Sequence, residues 1–391
     1  MMEKRKEIFS KIAYSCFYIG VIIEVLMVLV DKSALVNPFE GRLFQLTFLL
    51  FFIKVCLTRY SRKEYLVIAL FLGLGVISYF VTGRNEIIRI IMFLAACKDI
   101  DMQKCLKLVF YMTLSGCALI MILSIMGIGG DMFLTQEYGR GSIETRYTLG
   151  MGHPNALQCM VWALTVLCLY LYGEKMKWYL YFALLGVNVF FFLLTGSKTS
   201  LLVALFAIVY AGMYRFSKRE VFKKICGVCG IVLTMGSVAI SVVIAGNAYQ
   251  VYNYDWSIDR SAVPTFFKKL DIILTGRIRT LTENERWEGT VRTWKLFSES
   301  ANDYYFDLGW VRLFYWYGII PAVIFIIVLL LILFYCYKQK QYSAMVLIVS
   351  FALYSVMEAH AVSVYLARNY VLFLIGAYWT GLLKGDGKKW I

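Results

Sequence analysis

Five short polar stretches interrupt a chain that is 60% hydrophobic, and each carries side chains able to hold an anion or move a proton. In "RYTLGMGHPN" (146–155), Gly150 and Gly152 permit close backbone approach to a ligand. Pro154 and Asn155 open a helix whose positive dipole end faces the same place. Arg146 and His153 stand beside that end, as an anion site requires; a polar loop that simply starts a helix is the plainer alternative. "LTGSKTSLL" (194–202) is a tight turn with Lys198 among Ser197, Thr199 and Ser200. Its hydroxyls can cap the next helix, and its lysine can meet phosphate.

"TGRIRT" (275–280) supplies Arg277 and Arg279, which diverge in a helix but clamp one group in an extended turn; lipid headgroup attraction is the alternative. "FDLGWVRLFYWYGII" (306–320) leads Asp307 and Arg312 into an aromatic-rich apolar run. Trp and Tyr at a membrane boundary need no further reason, but an aspartate before Gly309 would face the same site. "EAHAVSVYLARNY" (358–370) adds Glu358, His360, Arg368 and Asn369.

These stretches are positioned by apolar runs near 8–30, 42–58, 65–82, 86–98, 105–128, 155–172, 177–195, 199–214, 224–246, 311–336, 343–359 and 364–383. Most are close to the roughly 20 residues that cross a bilayer core as a helix. The expected fold is an all-α polytopic membrane protein of about twelve transmembrane helices, one integral unit over 1–391. The fourth run is short and carries Arg89; Glu24 lies in the first, and a Glu24–Arg89 pair is the expected use of both.

Charge sets the orientation. With "MMEKRKE" inside, the inside connections are "RYSRKEY", "KDIDMQK", "GEKMK", "RFSKREVFKK", "YKQKQ" and the tail "KGDGKK", all short and basic. Both termini are then cytoplasmic. The net charge of +15 is largely topological and implies no nucleic-acid partner. Two long connections fall outside, over 127–155 and 246–310. An arginine-rich external loop runs against the charge bias, so the second has a task. Within it, "PTFFKKLDIIL" places Phe266, Leu270, Ile273 and Leu274 at helical spacing after Pro264. "ERWEGTVRTWKLF" does the same with Trp287, Val291, Trp294 and Phe297. Both read as amphipathic helices on the outer membrane surface. Arg292 falls opposite the second stripe, as a solvated charge or a ligand contact.

Other chemistries fit badly. Two histidines without paired cysteines or clustered carboxylates do not make a zinc site. The sequence has no GxxxxGK[ST] motif, which disfavours ATP-driven transport. No cysteine falls in the long external connections, so no disulfide framework is expected.

Taken together, the motifs resemble those of the Wzy-type polysaccharide polymerases and, more distantly, the O-antigen ligases of bacterial surface-glycan assembly. Arg146, Gly150, His153, Pro154 and Asn155 match the family's arginine, glycine and His-Pro-Asn segment at a helix mouth. "TGSKTS" matches its Thr-x-Ser-basic turn, with Lys198 where arginine is usual; "LTGR" matches its Gly-Arg through Gly276 and Arg277. Asp307, Tyr317 and Gly318 match its Asp-Asn-x-Tyr and Tyr-Gly-Ile-Ile pattern, with Leu308 in place of the asparagine. The resemblance implies a GT-C-like, metal-independent glycosyltransferase of the bacterial cytoplasmic membrane, needing no cofactor. It would polymerise undecaprenyl-diphosphate-linked oligosaccharide units on the outer face into capsule, exopolysaccharide or O-antigen. A flippase and a chain-length regulator are the protein partners it suggests. On this reading Arg146, Asn155, Lys198, Arg277, Arg279, Arg292 and Arg312 bind diphosphate or substrate, and His153, Asp307 and Glu358 are the candidate catalytic groups. The alternatives are glycan ligation and a lipid-linked-oligosaccharide flippase or transporter.

Overall fold

The computed structural model describes residues 2–137, 143–252, 265–283 and 287–384, with side chains from residue 7 onward. Pro264 and the basic tail after Lys384 lie outside the described residues, as do the basic side chains of residues 2–6. Fourteen α-helices are present among the described residues. They are α1 Met2–Lys32, α2 Glu40–Cys56, α3 Arg62–Thr82, α4 Glu86–Ala96, α5 Met102–Ile125, α6 Pro154–Tyr172 and α7 Trp178–Thr195. They continue with α8 Lys198–Phe216, α9 Glu220–Asn247, α10 Phe266–Ile273, α11 Gly309–Tyr317, α12 Ile319–Lys338, α13 Tyr342–Tyr354 and α14 Tyr370–Lys384.

Every apolar run of the sequence is helical. Eight helices (α1, α3, α5, α6, α7, α8, α9 and α12) are long and apolar enough to cross a membrane. The other runs give shorter helices: α2, α4, α13 and α14 have 17, 11, 13 and 15 residues. The helix starts follow local chemistry. Ser61 and Glu64 form a reciprocal capping box at α3: the Glu64 N–H donates to Ser61 Oγ, and Glu64 Oε2 accepts from the Ser61 N–H. Asp101 Oδ1 accepts the Lys104 N–H at the start of α5.

The connections segregate into two groups. On one side Lys98 Nζ donates to the Arg59 carbonyl, Lys340 pairs with Glu220, and Arg215 donates to the Met176 carbonyl. These are the short basic links of the sequence. On the other, Ser33 bridges to Met151, Arg84 Nη2 donates to the Asn302 carbonyl at 3.1 Å, and Arg277 reaches Glu358. These contacts join the α1–α2 link to the segment before α6, the α3–α4 link to the segment before α11, and the segment after α10 to the segment before α14.

The Glu24–Arg89 pair forms as expected. Arg89 Nη2 lies 3.1 Å from Glu24 Oε1, both side chains being nearly inaccessible. Thr47 Oγ1 and the Leu366 N–H also donate to Glu24, and Arg89 Nη1 donates to the Val364 carbonyl. A buried charge pair needs such additional partners to offset desolvation. It also ties the α13–α14 connection to α1 and α4.

Three expectations need correction. Segment 127–155 contains an antiparallel hairpin, β1 Phe133–Glu137 with β2 Ile143–Tyr147, Leu134 facing Arg146. The run 311–336 is two helices, α11 and α12, because Gly318 has φ 96°. A Cβ there would stand 2.6 Å from the Ser298 nitrogen, so only glycine lets 296–298 pack against the break. The Lys295 and Leu296 carbonyls accept the Ile319 and Ile320 N–H groups, satisfying two of the orphan donors that start α12. Finally, the aromatic stripe over 287–297 is not a helix. It holds one 3₁₀ turn, Val291–Thr293, then irregular, bent backbone hydrogen-bonded to the start of α12. Gly289, at φ 91°, breaks the helical path, and a Cβ there would clash with Leu281 and Phe306; Trp294 stacks on Phe314 instead. The first amphipathic helix does form, as α10. It turns Leu274 inward, packs Leu270 on the core and exposes Phe266 and Ile273.

Candidate functional site

The site begins at the mouth of α6. His153 is its N-cap residue: Nδ1 accepts the Asn155 N–H at 3.1 Å, and Pro154 occupies the first turn. Burial pushes the His153 pKa down, opposed by Asp307 and reinforced by Arg146 and Arg277. The ring is therefore neutral at pH 7. With Nδ1 accepting, its proton sits on Nε2, so this geometry presents a hydrogen-bond donor rather than a base. Asn155 enters through its backbone. Gly150 and Gly152 are tightly packed: a Cβ on Gly150 would meet Ser124 and the Ile120 carbonyl, and one on Gly152 the Ser33 carbonyl.

Arg146 is held on β2, buried, its Nε and Nη2 donating to Glu144 Oε2 at 3.0 and 2.6 Å. It lies against Gly196, the left-handed residue that ends α7 (φ 64°); a Cβ there would stand 3.1 Å from Arg146 Nε. The hairpin thus delivers Arg146 to the α7–α8 turn. In that turn Ser197 does not cap α8; its hydroxyl pairs with Ser200, which hydrogen-bonds Tyr354. Lys198 is exposed on the first turn of α8, with no ion pair among the described residues.

Arg277 is the hub. Its Nη2 lies 3.1 Å from Glu358 Oε1, its Nε 3.6 Å from Asp307 Oδ2, and its Nη1 donates to Thr275 Oγ1 and the Leu274 carbonyl. Left-handed Thr275 and Gly276 turn the chain out of α10 to place it. Asp307 is 43% exposed and Glu358 15%, so the first carboxylate meets solvent and the second is largely enclosed. Burial pushes the Glu358 carboxyl up, with Asp307 adding; Arg277, Arg368 and Lys32 pull it down without cancelling the rise. The result is a carboxylate more basic than usual.

Arg279 does not join Arg277. Its backbone N–H, with that of Ile278, donates to Asp271 Oδ1, its guanidinium lies beside Gly276, and its charge acts on Asp271. Arg292 is exposed over the Trp287 ring at 4.6 Å. Arg312 is buried on α11 beneath Tyr305, 3.8 Å from its ring, in electrostatic reach of Asp307 and Arg368. His360 is buried among Trp162 and Tyr354, its Nε2 3.5 Å from Cys159 Sγ.

Arg146, His153, Arg277, Asp307 and Glu358 are therefore one electrostatic group drawn from four segments. Lys198 follows the α7–α8 turn against which Arg146 packs; Arg279 and Arg292 lie apart. Lys32, at the end of α1, acts on Glu358 and was not foreseen; a lysine beside an expected external loop was the available signal. The arrangement offers cations and a neutral N–H donor for an anion, beside two carboxylates able to take a proton. No protein-family model, curated protein or solved structure matches the chain.

Proposed function

We propose that this protein is a membrane glycosyltransferase that polymerises lipid-diphosphate-linked oligosaccharide units on the outer face of a bacterial cytoplasmic membrane. In this reading the twelve apolar helices cross the bilayer in a GT-C-like arrangement with both termini inside. The observation that carries it is the convergence of Arg277 with Glu358 and Asp307, with His153 and Arg146 in electrostatic reach.

The reaction suits that group. The donor sugar's C1–O bond to its lipid diphosphate breaks as an acceptor hydroxyl oxygen bonds to C1. The hydroxyl proton passes to Glu358 or Asp307. The electron pair leaves on the diphosphate, where Arg277, Arg146 and the His153 Nε2–H stabilise the charge. Arg277 is shared between carboxylates and phosphate. As phosphate draws it away, Glu358 loses its cation and becomes more basic when a base is needed. Lys198, exposed on the adjacent turn, is placed to reach an outer phosphate oxygen.

The test is the sidedness of lipid-linked single units in cells lacking the protein. A polymerase defect leaves them exposed on the outer face. Accumulation on the inner face would instead make the protein a flippase.

A further inference from the structure

A second cationic station lies within electrostatic reach of Asp307. Arg312, 2% exposed, has two guanidinium nitrogens, Nε and Nη2, with no hydrogen-bond partner among the described residues. Arg84, in the α3–α4 connection, leaves its buried Nε unpartnered as well. Both stack on one indole ring: Arg84 Cζ lies 4.2 Å and Arg312 Cζ 4.8 Å from the Trp316 centroid. Buried N–H donors without acceptors cost free energy unless something supplies an acceptor. Glu86, one oxygen of its carboxylate also unpartnered, acts on Tyr317 together with Arg84 and Arg312. Tyr305, exposed, lies over Arg312 as its outward cover.

Next to this station opens an apolar groove of about 330 Å³. Its walls are α3 and α4 on one side and α12 and α14 on the other, with Leu313 and Tyr317 of α11 at its head. Ser363, the Tyr317 hydroxyl and the Trp379 indole are its few polar features. From Pro321 to Ile332 it follows twelve residues of α12, about 17 Å at the α-helical rise. That is roughly half a hydrocarbon core, the depth of one leaflet. A groove of this kind beside two under-partnered guanidiniums matches a lipid with an anionic head and one long hydrocarbon chain.

We infer that Arg84, Arg312 and Trp316 seat the diphosphate of the second lipid-linked substrate, the acceptor, with its polyprenyl chain in the α3/α4–α12/α14 groove. The inference rests on the glycan-joining reading, which requires two lipid-linked molecules at once. The donor diphosphate belongs at Arg277, where the carboxylates are. The two stations share Asp307 and Arg368 as electrostatic neighbours.

The test uses the purified full-length protein in nanodiscs and a polyprenyl diphosphate carrying a photoreactive diazirine in its chain. Labelling requires no turnover. The expected result is crosslinks on Ile90, Ile324 or Val328, reduced at least fivefold by Arg84→Gln and by the groove-filling Val328→Trp. Unlabelled polyprenyl diphosphate should displace the probe; phosphatidylglycerol should not. Arg312→Gln is a further arm, but the two named variants suffice if it does not fold. Labels confined to other helices, or equal displacement by phosphatidylglycerol, overturn the site. Polymer formation with labels elsewhere sinks this site alone. Groove labelling by a protein that extends no glycan sinks the acceptor assignment together with the functional reading.

Discussion

Arg277 Nη2 lies 3.1 Å from Glu358 Oε1, across 81 residues of chain, and the same guanidinium reaches Asp307. This fork links the long connection after α9 to the connection before α14. A single cation between two carboxylates holds both in place, and an arriving phosphate can compete for it.

Loss of that cation is expected to stop the reaction without unfolding the protein. Arg277→Ala should abolish polymer in cells while membrane abundance stays normal. Arg277→Lys keeps a charge but loses the fork, and should retain a small fraction of activity. A full-length polymer ladder from Arg277→Ala would remove Arg277 from the site.

The base assignment is read in a pH profile. The Glu358 carboxyl is held above its ordinary range, first by burial and then by Asp307. A base works deprotonated, so the rate should climb as pH rises through that elevated value and flatten above it. Glu358→Gln should remove this limb and slow turnover by about 100-fold or more. His153→Asn keeps a side chain able to cap α6 and should keep the limb, with a smaller loss. The reverse pattern would give the base to His153.

The buried Glu24–Arg89 pair is a stability element. Removing one partner leaves a buried charge alone, at a cost of about 3–5 kcal/mol. Glu24→Ala and Arg89→Ala should each lower the melting temperature in detergent sharply. The double variant Glu24→Gln, Arg89→Met should recover part of the loss. Equal melting of single and double variants would mean the charges are not coupled.

Two glycines separate backbone need from open space. Gly318→Ala must carry a side chain at φ 96° against Ser298, and should destabilise the protein by at least about 1–3 kcal/mol. Gly186→Ala, in α7, meets nothing within 4 Å and should be neutral or slightly stabilising. Thermal unfolding of the two variants side by side checks the contrast.

Much of the helical frame was legible because lipid-scale apolar runs leave a backbone few choices, and the Glu24–Arg89 pair because isolated charges in such runs need partners. The strand pair that carries Arg146 was not, since two strands of five residues leave little periodicity to read. The Trp287, Val291, Trp294, Phe297 stripe misled for a specific reason. Its spacing is helical, but Gly289 turns the chain, and Trp294 is spent on stacking against Phe314. Within the site, residue types were readable and pairings were not. Arg277 and Arg279 look equivalent in "TGRIRT", yet the turn after α10 sends one to Glu358 and leaves the other with Asp271. Arg84 carried a signal as well: an arginine in a link expected to be external, against the charge bias.

The most direct measurement is assembly in vitro, with purified protein in nanodiscs and one synthetic prenyl-diphosphate-linked repeat unit, products resolved by size. The account predicts a ladder of multiples of the unit, with lipid diphosphate released, and no ladder from Arg277→Ala. Units that remain single with active, folded protein, or a ladder that persists in Arg277→Ala, would contradict it.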